Sequence, residues 1–279
     1  LALTGKVKPY RVGVGPFAGD IYKALFPEDD SEAAVAAALA SLDRLFKYEI
    51  DPAEVAAVII EPVQGEGGFN AAPPAFMRAL RDLCTREGIV FIADEIQCGM
   101  GRTGKLFAME HFGVHADITT LAKSLAGGTP LSAVVGRSEI MDAVIPGGLG
   151  STYAGAPMAI AAAHAVLDIY ESEGVIGQGE RLSATIRAFL AEAKKKFSCI
   201  GRIKGLGSMV GVEFVSPAGE PDGAMAGKVQ AEARARGLIL LTCGVHGNII
   251  RFLYPLNTDD ATFQEGLSIL SAALEAATQ

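Results

Sequence analysis

The sequence of 279 residues contains no tryptophan, only four histidines and fewer basic than acidic residues. Its 24 Lys and Arg residues against 32 Asp and Glu residues give a formal net charge of −8. Because a nucleic-acid-binding surface needs an excess of basic residues, we expect no nucleic-acid partner. No apolar run reaches the roughly 18 residues of a membrane span, and the first residues lack the features of a secretory signal. We therefore expect a cytoplasmic protein without a membrane partner.

Groups that could bind a metal are also sparse. The four cysteines lie far apart, at Cys84, Cys98, Cys199 and Cys243. They lack the close pairs of zinc sites and redox motifs, which indicates scattered reduced thiols. His111 and His115 have i,i+4 spacing, but Gly113 lies between them and no third ligand accompanies them. We therefore expect no metal site.

Half of the residues are hydrophobic and only 20% are charged, which is enough apolar material for one large core or two smaller ones. Short apolar runs alternate with helical patterns as far as residue 173. The expected strands are 55–60, 89–93, 118–121 and 131–135, and the expected helices are 32–50, 73–87 and 156–170. This alternation is typical of an α/β fold with a mainly parallel sheet that is buried on both faces.

After Gly174 the pattern changes to a long charged helix followed by short strands and two further helices. The expected helices are 178–196, 224–236 and the segment after Asp259, and the expected strands are 200–203, 209–215, 238–241 and 249–252. We therefore expect a large domain at residues 1–173 and a smaller C-terminal α+β domain at residues 174–279.

Two apolar runs of the first domain end in acidic residues, in "VIIEPVQGEGG" and "FIADEIQCGMGRTG". In open α/β sheets, ligands bind at the carboxyl ends of the strands. Asp94 directly follows a buried run, where a carboxylate is costly unless a cation meets it. Asp94 is therefore a candidate site residue, with a helix cap or a salt bridge as the alternative interpretation.

Lys123, in "TTLAKSLAGGTP", follows another expected strand and is flanked by small residues. Partial burial there would lower the pKa of the amine and make its neutral, nucleophilic form available. The alternative is a surface lysine whose amine lies in water.

Two further features could bind anions. The glycines and hydroxyls of "GGLGSTYAGAPM" precede a helix, which suits a phosphate group, although a simple helix cap explains them equally well. Arg251 lies between apolar residues within an expected strand, so it needs an anionic partner from the protein or from a ligand.

An acid, a lysine, a phosphate-suited loop and a buried arginine together fit pyridoxal-phosphate chemistry. The segments "EPVQGEGG", "DEIQCGMGRTG", "LAKSLAGG" and "STYAGAP" also resemble, in this order, the signature motifs of the class III (omega-amino-acid) aminotransferases. The resemblance covers essentially the whole chain. It implies a fold-type I transferase that depends on pyridoxal 5'-phosphate.

By this resemblance, Lys123 matches the catalytic Schiff-base lysine, Asp94 the acid at the pyridine nitrogen, and Gln97 the residue near the phenolic oxygen of the cofactor. Ile96 matches the apolar residue on one face of the cofactor ring. Thr152 matches a threonine that reaches the phosphate of the neighbouring subunit's cofactor, which implies a homodimer or a dimer of dimers.

Arg251 matches the arginine for the substrate α-carboxylate, and Glu66 the glutamate that pairs with it when the substrate has no α-carboxylate. The implied reaction moves the amino group of an omega-amino acid, first of all 4-aminobutyrate, to 2-oxoglutarate, and gives an aldehyde acid and glutamate. The alternatives are an acetylornithine, ornithine, 5-aminovalerate or diaminobutyrate aminotransferase, an aminomutase on the same fold, or an inactive truncated homologue that acts as a binding subunit.

The family also carries upstream motifs that have no counterpart in this sequence. They are a phosphate-binding loop, an aromatic residue stacked on the cofactor and an arginine for the distal carboxylate. We therefore expect that the chain is truncated at its N terminus relative to the family, and that these 279 residues alone are inactive.

Overall fold

The computed structural model describes residues 1–279 and contains seven α-helices and ten β-strands. The helices are α1 (Glu32–Tyr48), α2 (Pro74–Glu87), α3 (Ser138–Met141), α4 (Pro157–Glu173), α5 (Val175–Lys196), α6 (Gly223–Ala235) and α7 (Asp260–Thr278). The strands are β1 (Ala57–Ile60), β2 (Val63–Gln64), β3 (Asn70–Ala71), β4 (Val90–Asp94), β5 (Ile118–Leu121), β6 (Ala133–Gly136), β7 (Ile200–Lys204), β8 (Val210–Phe214), β9 (Leu241–Cys243) and β10 (Ile249–Phe252). None of the helices combines the length and the apolarity needed to cross a membrane.

The first sheet has the strand order β1-β4-β5-β6. β1 pairs with β4 and β4 with β5 in parallel, whereas β6 pairs with β5 in the antiparallel sense. The α/β fold with a mainly parallel sheet is therefore confirmed. The expectation that the sheet is buried on both faces is wrong for its outer strands, because Ile59 of β1 is 40% exposed and Val134 and Val135 of β6 are 54% and 57% exposed. β6 runs the other way because residues 122–132, which connect it to β5, form a short 3-10 turn and no crossover helix, and a parallel pair needs such a crossover.

Helix α2 shows how the sequence covers this sheet. Pro74 occupies the first helical position, where its missing N–H is not needed, and Gly88 ends the helix in the left-handed conformation with φ 72°. The buried residues between them are Phe76, Met77, Leu80, Leu83 and Cys84. They form one hydrophobic cluster with Phe91 of β4, so α2 lies over the centre of the sheet.

The second sheet is antiparallel throughout and has the order β7-β8-β10-β9. Helices α5 and α6 pack against its strands, and α7 packs against both helices. Its hydrophobic core contains 20 buried residues from these helices and strands. This core is separate from the cluster under α2.

Two elements differ from the sequence-based expectation. The strand expected at 238–241 is β9 at Leu241–Cys243, because pairing with β10 sets its position while Ile239 stays 80% exposed. The hairpin of β2 and β3 was not expected, since strands of two residues carry no recognisable periodicity.

Candidate functional site

Three neighbouring strands of the first sheet bring charged residues to one edge. Glu61 follows β1, Asp94 ends β4, and Lys123 lies just beyond the end of β5. Because these strands are parallel and adjacent, their carboxyl ends lie side by side. The sheet topology therefore places two carboxylates and one amine in the same region.

Lys123 begins a 3-10 turn, Lys123–Ala126, with a positive φ of 49°. A residue other than glycine rarely adopts this conformation, which costs of the order of 1–3 kcal/mol and is typical of functional sites. Lys123 lies on the wall of a cavity of about 330 Å³. The other lining residues are Glu66, Gln97, Arg102, Ser124, Arg251 and Leu253.

The surroundings of Lys123 change its acidity. Partial burial lowers the pKa of the Lys123 amine, while the carboxylates of Glu61 and Glu66 raise it. The Arg251 cation lowers it again, and the Asp94 carboxylate raises it. The net pKa shift is downward, so a larger share of this amine is neutral than for a lysine in water.

Glu61 was not among the expected site residues. Its Oε2 accepts a hydrogen bond from the Gly65 N–H at 2.8 Å. Burial raises the pKa of the Glu61 carboxyl, and the charges of Asp94 and Glu66 add to the rise, against the effects of the Gly65 N–H and Lys123. The signal that could have found Glu61 is the one that identified Asp94, an acid directly after a buried run.

Asp94 and its neighbour Glu95 have different environments. The Oδ1 of Asp94 accepts a hydrogen bond from the Ile96 N–H at 3.1 Å, in a turn and not at the start of a helix, so this bond is not the helix cap considered as its alternative role. Glu95 is only 1% exposed and accepts the N–H groups of Ala108 at 2.6 Å and Met109 at 3.0 Å. Glu95 therefore anchors the turn at 108–111, while Asp94 is the acid at the strand end.

Gln97 presents an unsatisfied polar atom at the cavity. Its Oε1 is buried and has no hydrogen-bond partner. A Cβ atom on Gly65 would lie 2.2 Å from this oxygen, so only a glycine there allows Gln97 its position. Leaving a buried acceptor unpaired costs about 1–3 kcal/mol, and such an atom in a cavity wall is a natural contact for a ligand.

The anionic partner that Arg251 requires is Glu66. Arg251 Nη1 donates to Glu66 Oε1, and the two side chains are 12% and 39% exposed. The Nε of Arg251 is buried without a partner. The carbonyl oxygen of Glu66 also accepts the Gly244 N–H at 3.0 Å, so backbone and side chain together join the turn between β2 and β3 to the second sheet.

Three of the expected site residues do not line the cavity. Asp94 and Ile96 precede Gln97 and are half-buried. Thr152 is exposed in the segment 142–156 between α3 and α4. Within this chain the structure therefore brings together Lys123, Gln97, Glu66 and Arg251 of the expected set, but not Thr152.

The residues at this edge fit pyridoxal phosphate. An amine with a lowered pKa and a strand-end carboxylate match the aldehyde and the pyridine nitrogen of that cofactor. The Gln97 amide, which has both donor and acceptor atoms, matches its phenolic oxygen. No group of three or more His, Cys, Asp or Glu side chains is arranged to hold a metal ion.

Comparison with known sequences shows extensive similarity. Residues 1–274 match the family described as "Aminotransferase class-III". The chain is 50% identical over 271 residues to the 5-aminovalerate aminotransferase of Pseudomonas putida, and 48% identical over 288 residues to the 4-aminobutyrate aminotransferase of Escherichia coli. These alignments cover 97% and 100% of the chain but only 64% and 66% of the relatives. The chain thus spans about two thirds of their length.

The fold is also that of a solved structure, the ornithine aminotransferase from Toxoplasma gondii, whose active site holds PLP at partial occupancy. The TM-score is 0.82 at 32% sequence identity. The similarity covers 96% of this chain and 58% of the other, so it includes both sheets.

Proposed function

The chain belongs to the class-III aminotransferases, and from this premise we propose that its protein transfers the amino group of an omega-amino acid, 4-aminobutyrate, to 2-oxoglutarate. The products are an aldehyde acid and glutamate. The observation that carries the proposal is the Glu66–Arg251 pair on the same cavity wall as Lys123.

The reaction needs such a pair because its two substrates differ in charge near the reacting amine. Glutamate and 2-oxoglutarate carry an α-carboxylate, which Arg251 can bind through charge-assisted hydrogen bonds. An omega-amino acid has no carboxylate there, and Glu66 then neutralises Arg251. Leaving a fully buried guanidinium unpaired costs about 3–5 kcal/mol, and less here because Glu66 is 39% exposed.

We propose pyridoxal 5'-phosphate as the cofactor. Lys123 would bond to it, Asp94 would pair with its pyridine nitrogen, Gln97 would contact its phenolic oxygen, Ile96 would pack on its ring, and Thr152 would reach the phosphate in a second subunit. When bound, the cofactor supplies an electron sink for the charge left on the substrate carbon after proton loss. Lys123 is the base for that proton, since part of its amine is neutral.

A second candidate donor is 5-aminovalerate. The relative from Pseudomonas putida that is 50% identical to this chain is named for that substrate. The two donors differ by one methylene group, which a pocket distinguishes by only about 1–3 kcal/mol. Both therefore belong in the same substrate test.

The test is a donor panel on the full-length protein, with 2-oxoglutarate as acceptor and glutamate formation as the readout. The panel contains 4-aminobutyrate, 5-aminovalerate, ornithine, N-acetylornithine and 2,4-diaminobutyrate. We expect the highest kcat/KM for 4-aminobutyrate. A maximum for 5-aminovalerate would favour the second candidate, and a maximum for any other donor would refute both.

The cofactor assignment has its own test. Borohydride reduction of the cofactor-loaded protein should fix the cofactor to Lys123, as read by peptide mass spectrometry. We expect Lys123→Ala to lose at least about 100-fold in turnover, because one amine provides both attachment and proton transfer. Lys105→Ala, at an exposed lysine outside the cavity wall, is the matched control. A reduced adduct on another lysine would contradict the assignment.

We further propose two domains, at residues 1–173 and 174–279. Separate sheets and separate hydrophobic cores support this division, and Gly174, with φ 61°, separates α4 from α5.

We also propose a homodimer or a dimer of dimers in the cytoplasm. The dimer is supported by a set of exposed apolar side chains between residues 134 and 158. The cytoplasmic location is supported by the free state of all four cysteines, which is typical of a reducing compartment.

A further inference from the structure

Arg102 lines the site cavity beside Gln97 and Arg251, and the proposed reaction gives it no role. Burial lowers the pKa of its guanidinium, and the neighbouring groups that act against this shift are the hydroxyls of Tyr170 and Tyr254, not carboxylates. Arg102 is therefore not half of an ion pair, in contrast to Arg251.

The hydrogen bond of Arg102 reaches the segment that directly follows the strand of Arg251. Arg102 Nη1 donates to the carbonyl oxygen of Tyr254 at 2.6 Å. Tyr254 lies just beyond the end of β10, and Pro255 after it restricts its backbone. Arg102 therefore holds the exit of β10.

A second bond holds the opposite end of the same hairpin. The Gly244 N–H, in the turn between β9 and β10, donates to the carbonyl oxygen of Glu66 at 3.0 Å. The Glu66–Arg251 pair thus lies between two anchors, one in the turn before β10 and one just after β10. Of these two contacts, only the one just after β10 is made by a side chain, that of Arg102; the other joins two backbone groups.

Arg102 itself extends from a rigid loop that follows Gln97. Its carbonyl oxygen accepts the Ser208 N–H at 2.9 Å. Met100, two residues earlier, has a positive φ of 53°, and its carbonyl oxygen accepts the Tyr170 hydroxyl at 2.5 Å. Hydrogen bonds therefore hold this loop at Met100 and at Arg102. The Arg102 side chain thus reaches the Tyr254 carbonyl from a rigid backbone.

We propose that Arg102 is a positioning residue that holds Arg251 in place for the substrate α-carboxylate. This rests on the proposed function. Loss of Arg102 frees the exit of β10, and misplacing a binding group by about 1 Å can cost up to 100-fold. The omega-amino donor binds while Glu66 is paired with Arg251. Its binding therefore does not depend on the exact position of the Arg251 guanidinium.

The experiment compares Arg102→Met, Arg102→Ala and Arg102→Lys in the full-length, cofactor-loaded protein. Methionine keeps an apolar stem but removes the donors, whereas lysine can still donate to the Tyr254 carbonyl. The matched control is Arg187→Met. Like Arg102, Arg187 is half-buried, and it donates to the carbonyl oxygens of Gly205 at 2.9 Å and Gly207 at 3.2 Å, but it does not line the cavity.

Two readouts are combined. The first is the dissociation constant for glutarate, a dicarboxylate that cannot react, measured by calorimetry, and the second is the pair of Michaelis constants for the substrates 2-oxoglutarate and 4-aminobutyrate. For Arg102→Met and Arg102→Ala we expect about tenfold weaker glutarate binding and a similar rise in the Michaelis constant for 2-oxoglutarate. The Michaelis constant for 4-aminobutyrate should change less than about twofold, and Arg102→Lys should recover most of the loss. Arg187→Met should lower Tm and leave the ratio of the two Michaelis constants unchanged.

An equal rise in the Michaelis constants for 2-oxoglutarate and 4-aminobutyrate in the Arg102 variants would overturn the positioning role. The same change in the ratio of these two constants in Arg187→Met would also overturn it. If Arg102→Ala does not fold, the ratio of the two Michaelis constants in Arg102→Met and Arg102→Lys tests the positioning role. A wild-type protein that binds glutarate but transfers no amino group would refute the proposed function, and the glutarate affinities of the variants would still test Arg102 separately.

Discussion

Among the carboxylates near Lys123, Glu61 has the largest effect on its pKa, and it raises that pKa. Replacing Glu61 by glutamine removes the negative charge, so the pKa of Lys123 should fall further below its usual value. The neutral amine then appears at lower pH. In the protein without cofactor, the pH midpoint for acylation of Lys123, followed by peptide mass spectrometry, should therefore move to lower pH.

Glu171→Gln is the control for this experiment, because Glu171 is exposed on α4 and does not act on Lys123. It should leave the midpoint unchanged. An unchanged or higher midpoint in Glu61→Gln would mean that the Glu61 carboxylate does not stabilise the Lys123 cation.

The pair of Glu66 and Arg251 makes a prediction that separates the two half-reactions. Glu66→Ala leaves the guanidinium unpaired when 4-aminobutyrate is bound, so that half-reaction should slow. The glutamate half-reaction should be spared, because the α-carboxylate of the ligand satisfies Arg251. Arg251→Ala should show the opposite pattern. Single-turnover kinetics of each half-reaction in the full-length protein, followed by cofactor absorbance, provide the measurement.

Equal losses in both half-reactions for both variants would exclude the switch. The pair would then be a static salt bridge between the β2–β3 turn and the second sheet.

At the level of the helices, two glycines in open space have opposite effects on stability. Gly88 ends α2 with φ 72°, and a Cβ atom there meets no atom within 4 Å, so the cost of Gly88→Ala is conformational alone, about 1 kcal/mol. Gly227 lies inside α6 and is also free of contacts, and Gly227→Ala should stabilise the protein by about 0.5–1 kcal/mol. Urea unfolding should show shifts of opposite sign. Stabilisation by Gly88→Ala would contradict the left-handed end of α2, and destabilisation by Gly227→Ala would contradict the free space at Gly227.

For the whole molecule, the proposed dimer rests on an apolar surface. Six large side chains between residues 134 and 158 are more than half exposed: Val134, Val135, Ile145, Leu149, Tyr153 and Met158. A concentration of large exposed apolar side chains in one stretch of the chain is typical of an interface. Leu149→Asp should therefore shift the full-length protein towards monomer in light scattering, and activity should fall because the proposed contact of Thr152 with the cofactor of a second subunit would be lost.

Val245→Asp is the control for this variant. Val245 is 86% exposed in the turn between β9 and β10, outside the segment that carries the surface. It should leave the oligomeric state unchanged. A dimer that tolerates Leu149→Asp as well as Val245→Asp would place the interface elsewhere.

Much of the fold and part of the site could be predicted because the relevant information is local. Apolar runs followed by charged residues mark the ends of β4 and β5, and these runs alone indicate Asp94 and Lys123 as candidate site residues. The alternation of strands and helices likewise indicates the parallel sheet. Glu61 carries the same local signal as Asp94, although it was not among the expected residues.

Other features depend on packing between distant segments. Glu66 and Arg251 are 185 residues apart, and Arg102 and the Tyr254 carbonyl are 152 apart. Periodicity reports which face of an element is buried, but not which residue of another sheet will lie against it. The direction of β6 and the register of β9 follow from strand pairing for the same reason, and the positive φ of Lys123 exists only because the surrounding structure imposes it.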